Sequence, residues 1–240
     1  MLMANFKALI QSVGVANSLI QAYRLPLGNA VIHHGTAVKL PFESNRFSVV
    51  LTSPPYLPAS SGREDYLVGK AISNIALNLM TDEEIEAAET LSVGSMKSMT
   101  EAVDGLPPAV YALHDWLRQD ELREIKAKPT LAYYIDLKQA LEENFRVLLP
   151  HGLAIYVIGK ESVFYRFSTR ELLYKVECDK IFAELARSVG FLVEEQIDVE
   201  LDKKNKNARP RSLDSYFESV FLLRKPVNSN ERNKESYATP

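Results

Sequence analysis

The chain has 240 residues, of which 46% are hydrophobic and 25% are charged, and its net charge is −3. This composition is typical of a soluble globular protein and predicts one domain, or one domain with a sizeable insertion, in which any nucleic-acid surface is a local basic patch. The single cysteine, Cys178, excludes an internal disulfide framework and a cysteine-based zinc cluster and favours a cytoplasmic location, and no apolar run has the length of a membrane span.

The first 25 residues predict a helix, because apolar residues recur at helical spacing from Phe6 to Tyr23 before Pro26 ends the pattern. A short strand is predicted over residues 30–33. His33 and His34 are adjacent, so on a strand they point to opposite faces, and no acidic or cysteine partner is near. No metal site is therefore expected.

Residues 47–52 predict a buried strand, because Val49, Val50 and Leu51 form a continuous apolar run bounded by turn-forming residues. The run continues as Thr52, Ser53, Pro54, Pro55 and Tyr56. Each proline lacks an amide donor and fixes its own φ, and the second proline holds the first one extended. The sequence therefore predicts a rigid, non-helical loop at the carboxyl end of a strand, where open α/β sheets bind their ligands.

The Thr-Ser-Pro-Pro-Tyr run resembles the catalytic motif of the S-adenosylmethionine-dependent amino-methyltransferases that modify DNA bases, particularly the cytosine-N4 type. The resemblance implies that Ser53 Oγ and the carbonyl of Pro54, held still by Pro55, accept hydrogen bonds from the exocyclic amine of the base. Tyr56 is then expected to stack on a base that has flipped out of the duplex. The alternative is a strand that ends in an ordinary proline turn, with Tyr56 merely packing.

The resemblance also implies a Rossmann-like class I methyltransferase sheet of strand order 3-2-1-4-5-7-6 and S-adenosylmethionine as the cofactor. Gly35, Thr36 and Ala37 stand where the family has a Gly-Asp-Ala-like turn near the adenine ring, and together with Thr52 they are the expected cofactor contacts. Thr36 replaces the usual acid, so its contact is expected to be weaker and neutral.

A glycine-rich loop of the Asp-Pro-Phe-x-Gly-Ser-Gly-Thr kind, which holds the methionine part of the cofactor in this family, is missing from the sequence. Ala16 stands where the family's ribose-binding acid is expected. The sheet is therefore expected to be partial, with its first strands missing and one edge of the catalytic strand open. Either a second polypeptide carrying the glycine-rich loop completes the sheet, or the chain is a truncated form with compromised activity.

Residues 67–128 predict a mostly helical insertion, which is the candidate region for target recognition. Pro107 and Pro108 begin one of its helices, in which Trp116 belongs to an apolar stripe and is expected to pack in the core rather than to touch nucleic acid. Asp65 and Tyr66 match an Asp-Tyr pair in the resembling family and are expected to contact DNA.

From Leu131 onward the pattern predicts α/β structure. A helix over 131–148 leads through a turn to a strand over 153–159, and this turn resembles the Arg-Val-Leu-Lys-Pro-Gly-Gly turn of the same methyltransferases. A helix is predicted over 172–189 with a cap at Gly190, then a strand over 191–199 and an antiparallel partner over 216–223. Residues 226–240 predict a disordered tail.

A basic segment connects the last two predicted strands. It is either a loop that contacts DNA phosphates or a solvated hairpin loop, and its charged residues are Lys203, Lys204, Lys206, Arg209 and Arg211.

These features predict methyl transfer from S-adenosylmethionine to the exocyclic amino group of a base in double-stranded DNA, in restriction-modification or related genome marking. Ser53, rather than Asn or Asp, favours cytosine N4 by family analogy. Two alternatives stay open. One is a catalytically silent methyltransferase-like subunit or remnant, and the other is an adenine-N6 or RNA amino-methyltransferase.

Overall fold

The computed structural model describes residues 2–26, 28–57, 77–81, 83–85, 87, 93, 105–166, 168–169, 171–201 and 217–227. Its elements are α1 (Leu2–Ala22), β1 (Phe47–Thr52), α2 (Pro108–Arg118), a 3-10 helix (Glu124–Lys126), α3 (Ala127–Val147), β2 (Leu148–Gly159), β3 (Ser162–Tyr165), β4 (Leu172–Val176), α4 (Cys178–Val189), β5 (Leu192–Glu200) and β6 (Phe217–Arg224). They divide into two compact units, Met1–His34 and Gly35–Pro240.

The first unit contains α1, which confirms the predicted helix. The helix stops at Ala22, and Arg24 follows with a left-handed φ of 50°. The strand predicted over residues 30–33 is wrong, because this segment has no regular structure and Ile32 is 98% exposed. A strand needs a neighbour to satisfy its backbone hydrogen bonds, and the apolar residues of this segment have no described strand beside them.

The second unit is built on a four-stranded sheet of order β1-β2-β6-β5. β1 and β2 are parallel, whereas β6 runs antiparallel to both β2 and β5. Along the chain, α2, the 3-10 helix and α3 lie between β1 and β2, and α4 lies between β4 and β5. The predicted α/β class is confirmed, and the observed order corresponds to the 4-5-7-6 side of the sheet that the resemblance implies.

Helices α3 and α4 cover one face of the sheet and form the core with it. Tyr156 of β2 and Phe221 of β6 are 1% and 0% exposed. The ring of Phe182 on α4 lies 5.0 Å from the ring of Tyr156 and 4.9 Å from that of Phe221. Burying each such side chain contributes roughly 1.5–3 kcal/mol to stability.

The carboxyl end of α3 holds the segment that enters β1. Arg146 donates to the carbonyl oxygens of Phe42 at 2.7 Å and Leu40 at 3.2 Å, and Glu143 accepts from the amide of Leu40 at 2.7 Å. The amide of Arg46 donates to the carbonyl of Val147 at 2.7 Å. These bonds fix the amino end of β1, and with it the direction in which the strand presents its carboxyl end.

The helix predicted over 172–189 is correct only from Cys178. Leu172–Val176 forms β4, which pairs antiparallel with β3, and neither strand was predicted. Aromatic and β-branched residues favour strands once a partner lies alongside, and here the partner is the nearby run at Ser162–Tyr165. Gly190 ends α4 with a left-handed φ of 112°, which confirms the predicted cap.

The predicted core role of Trp116 is confirmed. Its ring lies 5.3 Å from that of Phe164 on β3 and 4.7 Å from that of Tyr174 on β4. The described part of the predicted helical insertion includes α2, the 3-10 helix and the start of α3, whereas most of residues 67–104 and most of the predicted tail lie outside the described residues. Of the tail, Pro226 is buried and Val227 is exposed.

Candidate active site

The 53–57 loop leaves the sheet at the carboxyl end of β1, next to the parallel strand β2. Ser53 is exposed, Tyr56 is 38% exposed and Leu57 is 7% exposed. The loop therefore returns to the core through Leu57 after presenting polar and aromatic groups to solvent. The predicted strand is confirmed and ends at Thr52, but the prediction that it is buried is wrong, because Val49 is 52% and Leu51 is 71% exposed. Only one face of β1 is covered, since Val50 and Thr52 are half-buried.

Three hydroxyl groups anchor this loop. The hydroxyl of Tyr133 on α3 donates to the carbonyl of Pro55 at 2.8 Å. The hydroxyl of Tyr56 donates to Glu218 Oε1 on β6 at 2.6 Å. Ser162 Oγ lies 3.5 Å from the carbonyl of Leu57, at the outer limit of a hydrogen bond. Since the anchors hold Pro55, Tyr56 and Leu57 and the strand β1 holds the other end, the loop is fixed before any ligand binds.

The hydroxyl of Tyr133 stays protonated and therefore remains a hydrogen-bond donor. Its side chain is buried in the helix layer, and desolvation raises the pKa of its phenol far above the ordinary value. The group therefore keeps its proton throughout the physiological pH range. A neutral phenol that always donates is well suited to hold a backbone carbonyl in one place.

A polar network fixes the strands next to the loop. Glu218 lies opposite Gly159 in the β2–β6 register, and the amide of Lys160 donates to the carbonyl of Phe217 at 3.0 Å. Lys160 Nζ also pairs with Asp198 Oδ2, while Ser219 Oγ donates to Asp198 Oδ1 at 2.7 Å. Hydrogen bonds from Lys160 and Ser219 hold the pKa of Asp198 below its ordinary value, so this carboxylate stays ionised.

The expected cofactor contacts occupy two places. Thr52 is the last residue of β1, half-buried, and chain continuity puts it directly beside Ser53. Gly35, Thr36 and Ala37 belong to a turn closed by a 3.2 Å hydrogen bond from the amide of Lys39 to the carbonyl of Thr36. Leu40, which follows this turn, is hydrogen-bonded to Glu143 and Arg146 on α3. Among the described residues, no hydrogen bond joins the turn to the proline loop.

The residues expected to contact DNA lie outside the described part of the chain. They are Asp65, Tyr66, Lys203, Lys204, Lys206, Arg209 and Arg211. Their roles stay predictions from the sequence.

Two residues of the site were missed by sequence reasoning. Tyr133 lies in the helix predicted over 131–148, and nothing in the sequence distinguishes its hydroxyl from that of Tyr134. Glu218 did carry a signal, because it is the only acidic residue in the mostly apolar strand β6. A charge inside such a strand indicates either an exposed position or a polar partner.

Within the described ranges, each helix is too short or too polar to cross a lipid bilayer. In the same ranges, the side chains of histidine, cysteine, aspartate and glutamate form no group of three that could hold a metal ion.

No protein-family model matches the chain, and no curated protein matches it. Among solved structures, the chain is similar to an inferred DNA modification methylase from Thermus thermophilus, crystallised with S-adenosyl-L-methionine. The TM-score is 0.40 at 18% identity, over 81% of this chain and 54% of that one. A SAM-dependent methyltransferase from Methanosarcina mazei gives a TM-score of 0.38 at 13% identity, over 87% of this chain and 76% of that one.

The [4+2]-cyclase SpnF gives a TM-score of 0.34 at 12% identity, over 90% of this chain and 63% of that one. The chain spans about half the length of the Thermus thermophilus methylase, at 54%. Because these TM-scores are low, the strand order and residues of this chain itself define its fold and candidate site.

Proposed function

We propose that this chain supplies the catalytic loop of an S-adenosylmethionine-dependent amino-methyltransferase that acts on cytosine N4 in double-stranded DNA. The observation that carries the proposal is the anchored 53–57 loop at the carboxyl end of β1. Its backbone is held at Pro55 by Tyr133, and its aromatic residue is held by Glu218. The bound cofactor would supply an electrophilic methyl group.

The residues of this chain make the exocyclic amine of the base a better nucleophile. The exocyclic amine of cytosine is a poor nucleophile because its lone pair is delocalised into the ring. Ser53 Oγ and the carbonyl of Pro54 accept hydrogen bonds from the two amine hydrogens. These bonds favour a pyramidal nitrogen and stabilise the positive charge that develops on it. Because the loop is already anchored, the acceptors need little reorganisation during the reaction.

Tyr56 receives the flipped base. A target amine inside a duplex is inaccessible, so the nucleotide must leave the stack and find a new stacking surface. The ring of Tyr56 is 38% exposed while its hydroxyl is held by Glu218. A ring that is fixed at its hydroxyl end and partly exposed to solvent meets this requirement.

The residues of this chain do not fit the whole cofactor. Thr52 and the turn at Thr36 offer contacts, but the sequence has no glycine-rich loop, and Ala16 cannot accept a hydrogen bond from a ribose hydroxyl through its side chain. This mismatch is the observation that favours a second candidate function, a methyltransferase-like subunit that binds DNA without transferring methyl groups.

Transfer of labelled methyl groups tests the proposal. Extracts of host cells that express the full chain, with the chromosomal copy replaced by the variant, are supplied with unmethylated host DNA and tritiated S-adenosylmethionine. Ser53→Ala should lower the rate by on the order of tenfold to a thousandfold, the cost of one preorganised acceptor or donor. Ser48→Ala, an exposed serine on β1, is the matched control and should not change the rate.

Nucleoside mass spectrometry of the product identifies the base. Loss of label from N4-methylcytosine supports the proposal, and loss from N6-methyladenine moves the target to adenine. Equal incorporation by the wild-type chain and Ser53→Ala would leave the silent-subunit function as the better account.

A further inference from the structure

The 53–57 loop has two tasks in the proposed reaction, and they belong to different parts of it. Ser53 and Pro54 accept hydrogen bonds from the amine, whereas Tyr56 stacks on the base. Pro55 joins these two parts, and it is exposed while Leu57 is buried. The backbone of Pro55 therefore sets how the two acceptors and the stacking ring are oriented towards each other.

Both backbone torsions of Pro55 are restrained, each by a different part of the molecule. Its own pyrrolidine ring fixes φ near about −65°. Its ψ follows the direction of its carbonyl, which accepts a hydrogen bond from the hydroxyl of Tyr133 at 2.8 Å. The loop belongs to no strand, so a strand ladder does not hold this carbonyl. The bond from Tyr133 is therefore the contact that restrains ψ.

The donor of this bond is itself held in place. Tyr133 lies on the long helix α3 and is 6% exposed, and its ring packs edge-on against that of Tyr134 at 5.0 Å. A close-packed side chain on a helix has few alternative rotamers. The hydrogen bond therefore fixes the carbonyl of Pro55 relative to the helix layer.

The restraint extends from Pro55 to the carbonyl of Pro54. At one end the chain is held at Thr52, the last residue of β1, and at the other end at the Pro55 carbonyl. Between these two points, the rings of both prolines lock two of the φ torsions, and each peptide group is planar. Few torsions are left that could turn the Pro54 carbonyl away from its position.

We propose that Tyr133 is a positioning residue for the chemical step. Its hydrogen bond to the Pro55 carbonyl holds the carbonyl of Pro54 at the place where that oxygen meets the amine of the base. Capture of the flipped base depends instead on Tyr56, whose hydroxyl Glu218 holds. This inference rests on the proposed function, because it concerns the same reaction.

Tyr134 provides a matched control for Tyr133. It is the next residue on α3 and is 1% exposed. Within the described ranges its hydroxyl makes no hydrogen bond of acceptable geometry, and the thiol of Cys178 lies nearby. Tyr134→Phe thus removes the same atom from the same helix as Tyr133→Phe does, but it removes no bond to the loop.

The kinetic constants for methyl transfer test the inference. Extracts of host cells in which the variant replaces the chromosomal copy are assayed over a series of host-DNA concentrations, and rates are normalised to the amount of the chain. Tyr133→Phe should lower kcat by roughly two- to tenfold, the equivalent of one net hydrogen bond, and change the KM for DNA by less than about twofold. An unchanged kcat, or a raised KM alone, would overturn the inference.

A variant that keeps the donor separates positioning from folding. p-Aminophenylalanine in place of Tyr133 keeps the ring and an N–H donor, so it should restore most of the kcat that Tyr133→Phe loses. Tyr134→Phe should change neither constant, and circular dichroism verifies that every variant folds. Failure of the aminophenylalanine variant to restore kcat would mean that the hydrogen bond is not the cause.

A double-mutant cycle tests the path through Pro55. Pro55→Ala keeps the carbonyl that Tyr133 binds but releases φ. Tyr133→Phe should therefore lower kcat less in the Pro55→Ala background than in the wild-type chain. Additive losses would show that Tyr133 does not act through Pro55, and they would overturn the inference.

Hydrogen exchange distinguishes this inference from the proposed function, because it requires no methyl transfer. In the purified full chain, the amides of Tyr56 and Leu57 should exchange faster after Tyr133→Phe than after Tyr134→Phe. Equal exchange would overturn the inference. Faster exchange in a chain that transfers no methyl group would support the restraint by Tyr133 and overturn the proposed function. Loss of transfer in Ser53→Ala with an unchanged rate in Tyr133→Phe would overturn the inference and leave the function standing.

Discussion

The hydroxyl of Tyr56 donates a 2.6 Å hydrogen bond to Glu218, which is 162 positions away along the chain. The bond joins the loop after β1 to the second residue of β6, across the carboxyl end of β2. It restrains the ring from its polar end, while 38% of the residue's surface stays exposed. Glu218 therefore acts as a positioning residue for Tyr56.

Removal of either partner should slow methyl transfer without altering the fold. Tyr56→Phe keeps the ring and loses the hydroxyl, and Glu218→Leu loses the acceptor. Each should lower kcat/KM by up to about tenfold, the value of one net hydrogen bond. The double variant should lose no more than the worse single variant, because both changes remove the same interaction. Single-turnover transfer to host DNA by the active enzyme measures this.

Glu218→Gln distinguishes the hydrogen bond to Tyr56 from the negative charge of Glu218. Glu218→Gln keeps an acceptor oxygen, so it should retain more activity than Glu218→Leu, and Glu195→Gln on the neighbouring strand is the control. Additive losses in the double variant would show that the two side chains act independently.

Alkaline pH should destabilise the chain through its buried acids. Burial raises the pKa of both Cys178 and Tyr156 to about 12. In the unfolded chain they ionise near about 8.5 and 10, so above those values the folded state holds protons that the unfolded state releases. Their contribution is complete below about pH 8.5 and is lost as the pH rises towards 12.

Urea unfolding at a series of pH values measures this effect. The free energy of unfolding should fall by about 1 kcal/mol per pH unit between about pH 9 and 10, where the thiol titrates, and more steeply above. Cys178→Ala should flatten the first part of the curve. A variant curve parallel to that of the wild type would show that the thiol is not the group responsible.

Arg146 should be irreplaceable by lysine. Its guanidinium contacts Glu143 and two backbone carbonyls, a planar set of acceptors that an ammonium group cannot satisfy together. Arg146→Lys should lower the free energy of unfolding by about 1–2 kcal/mol. Arg118→Lys, at the exposed end of α2, is the control in the same chemical denaturation. Equal stability of the two variants would mean that the entry to β1 is held by other contacts.

The basic segment between β5 and β6 should contact DNA phosphates. Neutralising Lys203, Lys204 and Lys206 to Gln should weaken binding to every DNA sequence alike. Each lost contact should reduce the slope of log affinity against log salt by roughly 0.9. Fluorescence anisotropy at several salt concentrations measures the slope. The same change at the exposed residues Lys7, Lys39 and Lys128 controls for net charge, and an unaltered slope would indicate a solvated turn.

Local patterns in the sequence were sufficient to predict much of the fold. The apolar run before Thr52 and the two prolines after it predict a strand followed by a rigid loop, and the parallel pairing of β1 with β2 completes that strand. The same holds for the long helix before β2 and for the cap at Gly190. The antiparallel pairing of the last two strands also agrees with the structure.

Tertiary context decided the rest. Leu172–Val176 has enough apolar residues for either a helix or a strand, and the partner strand β3 selects the strand. Residues 30–33 have strand-forming composition but no described neighbour, so they form none. The anchors of the loop follow the same principle. Tyr133 and Glu218 lie far from the loop in sequence. Only the packing of α3 brings the Tyr133 hydroxyl to the carbonyl of Pro55, and only the order of the sheet brings Glu218 to the hydroxyl of Tyr56.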